Sequence, residues 1–452
     1  MSDFIKKYAY WINAGKFTAI QKFATLGMGV VSFMFLARLL GPTVFGIWGL
    51  FLLITSIVET ARVALIKNAY IRFIHQNKEI EHLQIQRAAF LVNVLMSLLV
   101  SVLLFGFSQK IGNVLGAPAL GDMLRLYALT FLVSAFFTHL EVVLNAQMNF
   151  KVICAMYLIR QASLLLLIFF SFLSILPIST YILSIYYLIG VILGLIVGLL
   201  FRLRGVSWCI NNSGSWLTQM WSFGKIVFAN NIFSLLFRST DNFLTSRFLG
   251  TTAAGYYNSC LRIGNLVDIP SQVFGDILYP KAAKYSSSTN PSEIKNIYEK
   301  TVGVSMVFSI PVLLFIIAFP EFILKTLAGN EFIVATSILR ITAVLGFLLP
   351  FLKQFGTIMD ATGTPKLNLS VMFLAFILNV IFNIIGIYSF GFLGAAFGTL
   401  ATYIVIFCVS QMLLFKRFRI SVWSVFYYTI FFYKALFTEG RSYIKKRLKP
   451  TV

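Results

Sequence analysis

Stretches of roughly 20 mostly apolar residues recur from residue 17 to residue 415, each closed by a short polar or glycine-containing segment. At about 1.5 Å per residue, one such stretch crosses the ~30 Å hydrocarbon core of a bilayer. The pattern predicts twelve membrane-spanning helices, at 17–38, 44–66, 87–107, 123–146, 152–174, 178–201, 223–247, 252–279, 300–320, 333–358, 367–388 and 392–415. A further segment, 421–438, is interrupted by Lys434 and rich in Tyr and Trp, which predicts a helix in the membrane interface. Alternation with a two-residue period is absent, which argues against an outer-membrane barrel.

The first predicted hairpin occurs twice. Arg38-Leu39-Leu40-Gly41-Pro42-Thr43-Val44-Phe45-Gly46 reads against Arg247-Phe248-Leu249-Gly250-Thr251-Thr252-Ala253-Ala254-Gly255, a shift from 38 to 247 that leaves five of the nine positions identical. The same shift carries Glu59 onto Asp268 and Tyr70 onto Tyr279. Repeats in the same sense are a construction of secondary transporters, whose substrate sites lie between the halves. The expected fold is all-α: a polytopic membrane protein of about twelve transmembrane helices, in two six-helix bundles related by pseudo-two-fold symmetry along the membrane normal. Residues 1–205 form the N-terminal bundle in this reading, 206–222 a cytoplasmic linker, 223–415 the C-terminal bundle, and 416–452 a basic cytoplasmic tail.

Composition agrees with lipid as the main solvent. The 452 residues are 59% hydrophobic and 12% charged, too few charges to cover a soluble surface of that size. The charges that exist sit unevenly. Basic residues crowd the connections 67–87, 202–222 and 281–300, and nine Lys/Arg against Glu439 follow residue 415. The connections near 175–177, 248–252 and 389–391 carry no charge. By the positive-inside rule the basic loops and both termini face the cytoplasm. The first span is expected to act as targeting signal, since the first fifteen residues lack the apolar core of a signal peptide. The net charge of +22 then reads as contact with anionic membrane lipids, not with nucleic acid.

Charges inside spans are costly and tend to face a bundle interior or a wet cavity. The cations Arg62, Arg160, Arg238, Arg262 and Lys353 are candidates for a cavity that binds an anionic substrate, because guanidinium forks match phosphate oxygens. Glu59, Asp241 and Asp268 are candidates for ion coupling. A structural alternative stands beside each: Glu59/Arg62 and Arg238/Asp241 are three residues apart and can neutralise themselves on one helix face. Arg160, Arg262 and Lys353 have no acid three or four residues away. Arg38 and Arg247 end their helices, where long side chains snorkel to the interface; with Gly41, Gly46, Gly250 and Gly255 they read as a structural hairpin common to both halves. Gly190, Gly194 and Gly198 form a small-xxx-small series suited to helix packing. The four cysteines are scattered without metal-ligand spacing, and no catalytic motif is present, so neither an enzyme nor a metal or cofactor is expected.

The hairpin RLLGPTVFGIW at 38–48, its echo RFLGTTAAGYYN at 247–258 and the twelve-span plan resemble the bacterial polysaccharide flippase family. These are O-antigen and capsule repeat-unit transporters of lipopolysaccharide and related pathways, related to lipid II flippases and multidrug-and-toxin exporters. The resemblance implies two bundles about a central cavity, alternating access, and an undecaprenyl-pyrophosphate-linked oligosaccharide as cargo. It also implies possible assembly-protein partners, and coupling to an H+ or Na+ gradient or to membrane potential. Efflux of organic cations is the competing expectation; a membrane polymerase or a scaffold fits less well, given short outer loops and many intramembrane cations.

Overall fold

The computed structural model describes residues 2–76, 79–201, 214–272, 274–275, 278 and 291–447. Asp276, Tyr279 and residues 206–213 of the expected linker lie outside the described residues. Among the described residues every regular element is helical. The order is α1 (Ser2–Gln76), α2 (Glu79–Val114), α3 (Pro118–Ala146), α4 (Phe150–Phe172), α5 (Thr180–Leu200), α6 (Gly214–Gly264), α7 (Pro291–Ala318), α8 (Pro320–Leu327), α9 (Thr336–Ala361), α10 (Pro365–Phe390), α11 (Phe392–Phe418) and α12 (Val422–Arg447). Short 3-10 turns, Asn265–Asp268 and Asn330–Ala335, precede α7 and α9.

Two of these helices are folded in half. α1 breaks at Gly41 (φ 65°, ψ 173°) and α6 at Gly250 (φ 87°, ψ 171°). Both glycines hold a left-handed φ that a side chain would strain, and they are the equivalent positions of the duplicated hairpin. The turn thus falls at the same place in both copies of the repeat.

Nine described segments are long and apolar enough to cross a membrane, and the first, Ile20–Ile71, contains both arms of α1. α6 is not among them, for a chemical reason. Its first arm carries Ser239, Thr240, Asp241, Asn242, Thr245 and Ser246, all buried, so its polar face points into protein and depresses its hydropathy. Lipid-facing helices show the reverse: Leu99, Val102 and Phe105 of α2 are all more than half exposed.

The chain divides into two compact units, residues 1–255 with 327–331, and 256–326 with 332–452. In the first, α2 lies along α3 and α4 along α5, with α1 against α3 and α4. One core cluster joins Leu65, Ala69 and Tyr70 of α1 to Ala88 and Ala89 of α2, Val142 and Val143 of α3, and Trp216 of α6. The α4–α5 contact is made by the glycine series: a Cβ at Gly190 or Gly194 would lie 2.9 Å from the carbonyl of Arg160 or Met156. With no hydrophobic drive between helices in lipid, such backbone approach is how spans associate.

In the second unit, α10 and α11 form a tight hairpin at Gly391 (φ 56°). A Cβ on Gly394 would sit 1.9 Å from the Gly386 carbonyl, and one on Gly386 would sit 2.2 Å from the Gly394 carbonyl. α12, which covers the segment expected in the interface, docks lengthwise on α7. Ser421 N–H donates to Glu299 (2.9 Å), Thr429 Oγ1 to the Gly303 carbonyl (3.3 Å) and Tyr433 OH to the Val307 carbonyl (2.7 Å). Val425 and Thr429 are buried there, while Trp423 is 82% exposed. The helix is two-faced, one side on protein and one outward.

Overpacking a close helix contact costs about 1–3 kcal/mol. Gly394→Ala is therefore expected to lower the unfolding temperature in detergent by several degrees. Gly106→Ala, with no atom within 4 Å of the added Cβ, is expected to leave it unchanged or raise it.

Candidate functional site

A carboxylate inside a bundle needs donors, and Glu59 on the second arm of α1 gathers them from three helices. Arg160 of α4 lies 3.3 Å from Glu59 Oε1, Tyr187 OH of α5 donates to the same oxygen at 3.0 Å, and Tyr127 OH of α3 at 3.2 Å. Arg160 Nη2 also donates to Tyr187 OH at 2.5 Å. Its guanidinium lies 5.1 Å from the centre of the Tyr187 ring and 5.5 Å from that of Phe137. The pair is not sealed: the side chains of Arg160 and Glu59 keep 17% and 23% of their exposure. They line a cavity of about 360 Å³ with Gln21 and Thr25 of α1, Tyr157 and Gln161 of α4, and Tyr187. This is a small polar chamber with one cation, one anion and several neutral hydrogen-bonding groups.

α4 builds most of it. Tyr157, Arg160, Gln161 and Leu164 fall at i, i+3, i+4 and i+7, so a single face of an otherwise apolar helix is presented to the chamber. Tyr157 connects the chamber to a second ion pair, donating to Glu141 Oε2 at 2.8 Å while Lys67 lies 3.0 Å from Glu141 Oε1. Sequence spacing puts Lys67 in a cytoplasmic loop. The structure carries α1 on to Gln76, which turns Lys67 into a helical residue able to reach α3.

Arg62 requires a correction. Expected to face a cavity or to pair with Glu59, it is 1% exposed and turned into the bundle. Its Nη1 donates to Ser97 Oγ (3.1 Å) and the Phe131 carbonyl (2.9 Å). Its Nη2 donates to the Ser134 carbonyl (3.2 Å), Ser134 Oγ (2.9 Å) and Thr138 Oγ1 (2.8 Å). Its guanidinium also lies 4.2 Å from the Phe131 ring centre. One helical turn from Glu59, the side chain points to α2 and α3 and ties them to α1. Arg62 is a structural clamp because all of that hydrogen bonding would be lost if it swung out.

Elsewhere in this unit Arg238 is exposed, whereas Asp241 is buried and accepts the Asn242 N–H at 2.9 Å. Arg38 and Arg247 are exposed at their helix ends, where snorkelling places them.

In the second unit Lys353 of α9 pairs with Asp268 in the 3-10 turn, and Gln272 Nε2 donates to the same carboxylate oxygen at 3.1 Å. Arg262 Nε donates to Asn258 Oδ1 at 2.8 Å. Arg160 and Lys353, which lack a carboxylate at helical spacing, thus acquire one from another helix. Glu141 is legible in the sequence as an anion within a predicted span, whereas Tyr127, Tyr157 and Tyr187 join the site without having been singled out; the polar stripe Tyr157-x-x-Arg160-Gln161 was the readable signal.

Residues 35–337, about two thirds of the chain, match the family described as polysaccharide biosynthesis protein. The chain belongs to this family. Among its relatives is the lipopolysaccharide biosynthesis protein WzxC of Escherichia coli K12, 23% identical over 443 residues, 93% of this chain and 85% of the relative. Another is the probable low-salt glycan biosynthesis flippase Agl15 of Haloferax volcanii, 25% identical over 187 residues. That match takes in 41% of this chain and spans only 40% of the archaeal protein.

The fold is shared with lipid II flippase MurJ in an inward closed conformation (TM-score 0.73, 16% identity, 94% of this chain and 92% of that one). It is shared also with an inward-facing MATE-family multidrug resistance transporter (TM-score 0.76, 13% identity, 89% and 98%). Among these similar proteins, Agl15 is described as a probable flippase, MurJ as a lipid II flippase and the MATE protein as a multidrug resistance transporter.

Removing one member of a buried ion pair costs on the order of 3–5 kcal/mol, less where solvent still reaches it. Glu59→Gln and Arg160→Met are each expected to lower thermal stability in detergent, and the double variant to recover part of the combined loss. Strictly additive losses across the four proteins would show the two groups to be uncoupled.

Proposed function

We propose that this chain moves a lipid-linked oligosaccharide, attached to its polyprenyl carrier through a diphosphate, from the cytoplasmic to the outer leaflet by alternating access. The carrying observation is Arg160: a partly exposed guanidinium on the wall of a polar chamber, held by one carboxylate and one tyrosine. A phosphate offers more acceptor oxygens than Glu59 in the geometry a guanidinium prefers. Tyr187 OH and Tyr127 OH, which donate to Glu59, can turn to the incoming anion. Gln21, Thr25 and Gln161 supply partners for sugar hydroxyls. A chamber of about 360 Å³ lies at the low end of ligand cavities, roughly 300–1,000 Å³. It suits the diphosphate and its nearest sugar, with the lipid tail left in the bilayer. Lys353 and Arg262 of the second unit offer the same chemistry.

The pairing also bears on energy. Because Arg160 and Lys353 are each matched by a carboxylate when empty, a bound diphosphate adds its own negative charge to the loaded carrier. Moving each such charge outward down an inside-negative potential yields about 2.3 kcal/mol per 100 mV. The basic loops and tail support a topology with both termini in the cytoplasm, and the relative from Escherichia coli supports a bacterial inner membrane as the setting.

A second reading, efflux of organic cations, draws on Glu59 standing among Tyr127 and Tyr187, since carboxylates and aromatic faces attract such cations. Arg160 in the same chamber opposes it.

Arg160→Ala, Arg262→Ala and Lys353→Ala separate the readings when outer-leaflet delivery of a labelled lipid-linked oligosaccharide is measured. Loss of a charge-assisted contact worth about 1.5–3 kcal/mol predicts a fall of roughly 10- to 150-fold for Arg160→Ala at normal membrane levels. Unchanged delivery in all three variants would reject the cationic site. Drug sensitivity with normal surface glycans after gene deletion would favour the exporter.

A further inference from the structure

The duplicated hairpins touch each other, and they do so at equivalent positions. Thr43 Oγ1 and Thr252 Oγ1, 209 residues apart, share a hydrogen bond of 2.7 Å. Beside it, a Cβ on Gly46 would lie 2.0 Å from the Thr251 carbonyl oxygen, and a Cβ on Gly255 would lie 1.9 Å from the Pro42 carbonyl oxygen. Gly46 corresponds to Gly255 and Pro42 to Thr251 under the same shift. Each contact is therefore its own mirror under the repeat, the signature of an isologous interface on a pseudo-two-fold axis.

The chemistry of this junction is that of a contact built to part. The glycine Cα–H groups meet carbonyl oxygens directly, a weak interaction, and Thr43 and Thr252 are both exposed. The first turns of two helices meet here, so their partial positive charges face each other. No ion pair or interdigitated side chain is needed, since bare backbone lets the helices seal. A strap from the same unit, residues 327–331, covers the first hairpin: Glu331 Oε2 would lie 3.0 Å from a Cβ on Gly41, and the Arg38 side chain would lie 3.4 Å from one on Gly329. The hairpin connections 39–43 and 248–252 carry no charge and lie opposite the basic loops, hence on the outer face.

We infer that Thr43/Thr252 with Gly46/Gly255 form the outer gate of the carrier, closed in this structure and obliged to open for cargo to leave. The inference rests on the alternating-access reading above; it adds which residues close the outer side.

The test is the double variant Thr43→Cys/Thr252→Cys, with each single variant as control. Two readouts are taken, before oxidation, after it, and after reduction. One is delivery of labelled lipid-linked oligosaccharide. The other is labelling of a Gln161→Cys reporter by a membrane-impermeant maleimide added outside, which does not depend on the cargo.

Oxidation is expected to form the disulfide, to cut both readouts at least tenfold in the double variant only, and to be reversed by reductant. A verified disulfide that leaves outside labelling unchanged would make the contact a permanent joint and overturn the gate. Failure of the disulfide to form would overturn it as well. Gated labelling with no delivery of lipid-linked sugar by the unmodified protein would leave the gate standing and remove the proposed cargo.

Discussion

Charge inside a bilayer has to be compensated by protein, at a cost of several kcal/mol per unsatisfied ion. The first unit meets this constraint in two ways, and the difference separates scaffold from site. Arg62 is enclosed by side-chain and carbonyl oxygens of α2 and α3 and has 1% exposure. It fixes three helices and leaves nothing for a ligand. Arg160 is held by a carboxylate and the Tyr187 phenol, keeps 17% exposure and borders a chamber. Its partners can be exchanged for others, which a binding group requires.

Backbone contact sets where Arg160 stands. Gly190 and Gly194 let α5 press against α4 at Arg160 itself, with the Arg160 Cβ only 3.2 Å from the place a Gly194 Cβ would take. That closeness brings Tyr187 into hydrogen bonding with both Arg160 and Glu59. The same device recurs at Gly386/Gly394 in the second unit. Packing without side chains thus does two things here. It holds spans together where water gives no drive, and it delivers polar groups to one point with little play.

The Lys67–Glu141–Tyr157 group extends the polar face of α4 beyond the chamber. Tyr157 belongs to both, lining the chamber while donating to Glu141. Two ion pairs, Glu59–Arg160 and Lys67–Glu141, are thereby joined where α1, α3, α4 and α5 come together.

Much of this was legible in the residues alone. Apolar run lengths, bounded by the width of a bilayer, marked the spans. The repeated Arg38–Gly46 motif located both hairpins, because a left-handed turn admits few residues but glycine, and Gly41 and Gly250 take that conformation. The absence of an acid at helical spacing singled out Arg160, Arg262 and Lys353; the first and last pair with a carboxylate from another element, and Arg262 donates to Asn258. What the sequence could not carry was partnership across helices. Glu59 and Arg62 are neighbours in the chain, yet Glu59 pairs with Arg160, 101 residues away, and Arg62 turns to α2 and α3. Lys67 reads as a loop cation and becomes a half-buried partner of Glu141 because α1 runs further than hydropathy shows. Local spacing fixes which side of its own helix a residue occupies; only the packing of helices decides what that side meets, and whether a charge there is locked or left within reach of a ligand.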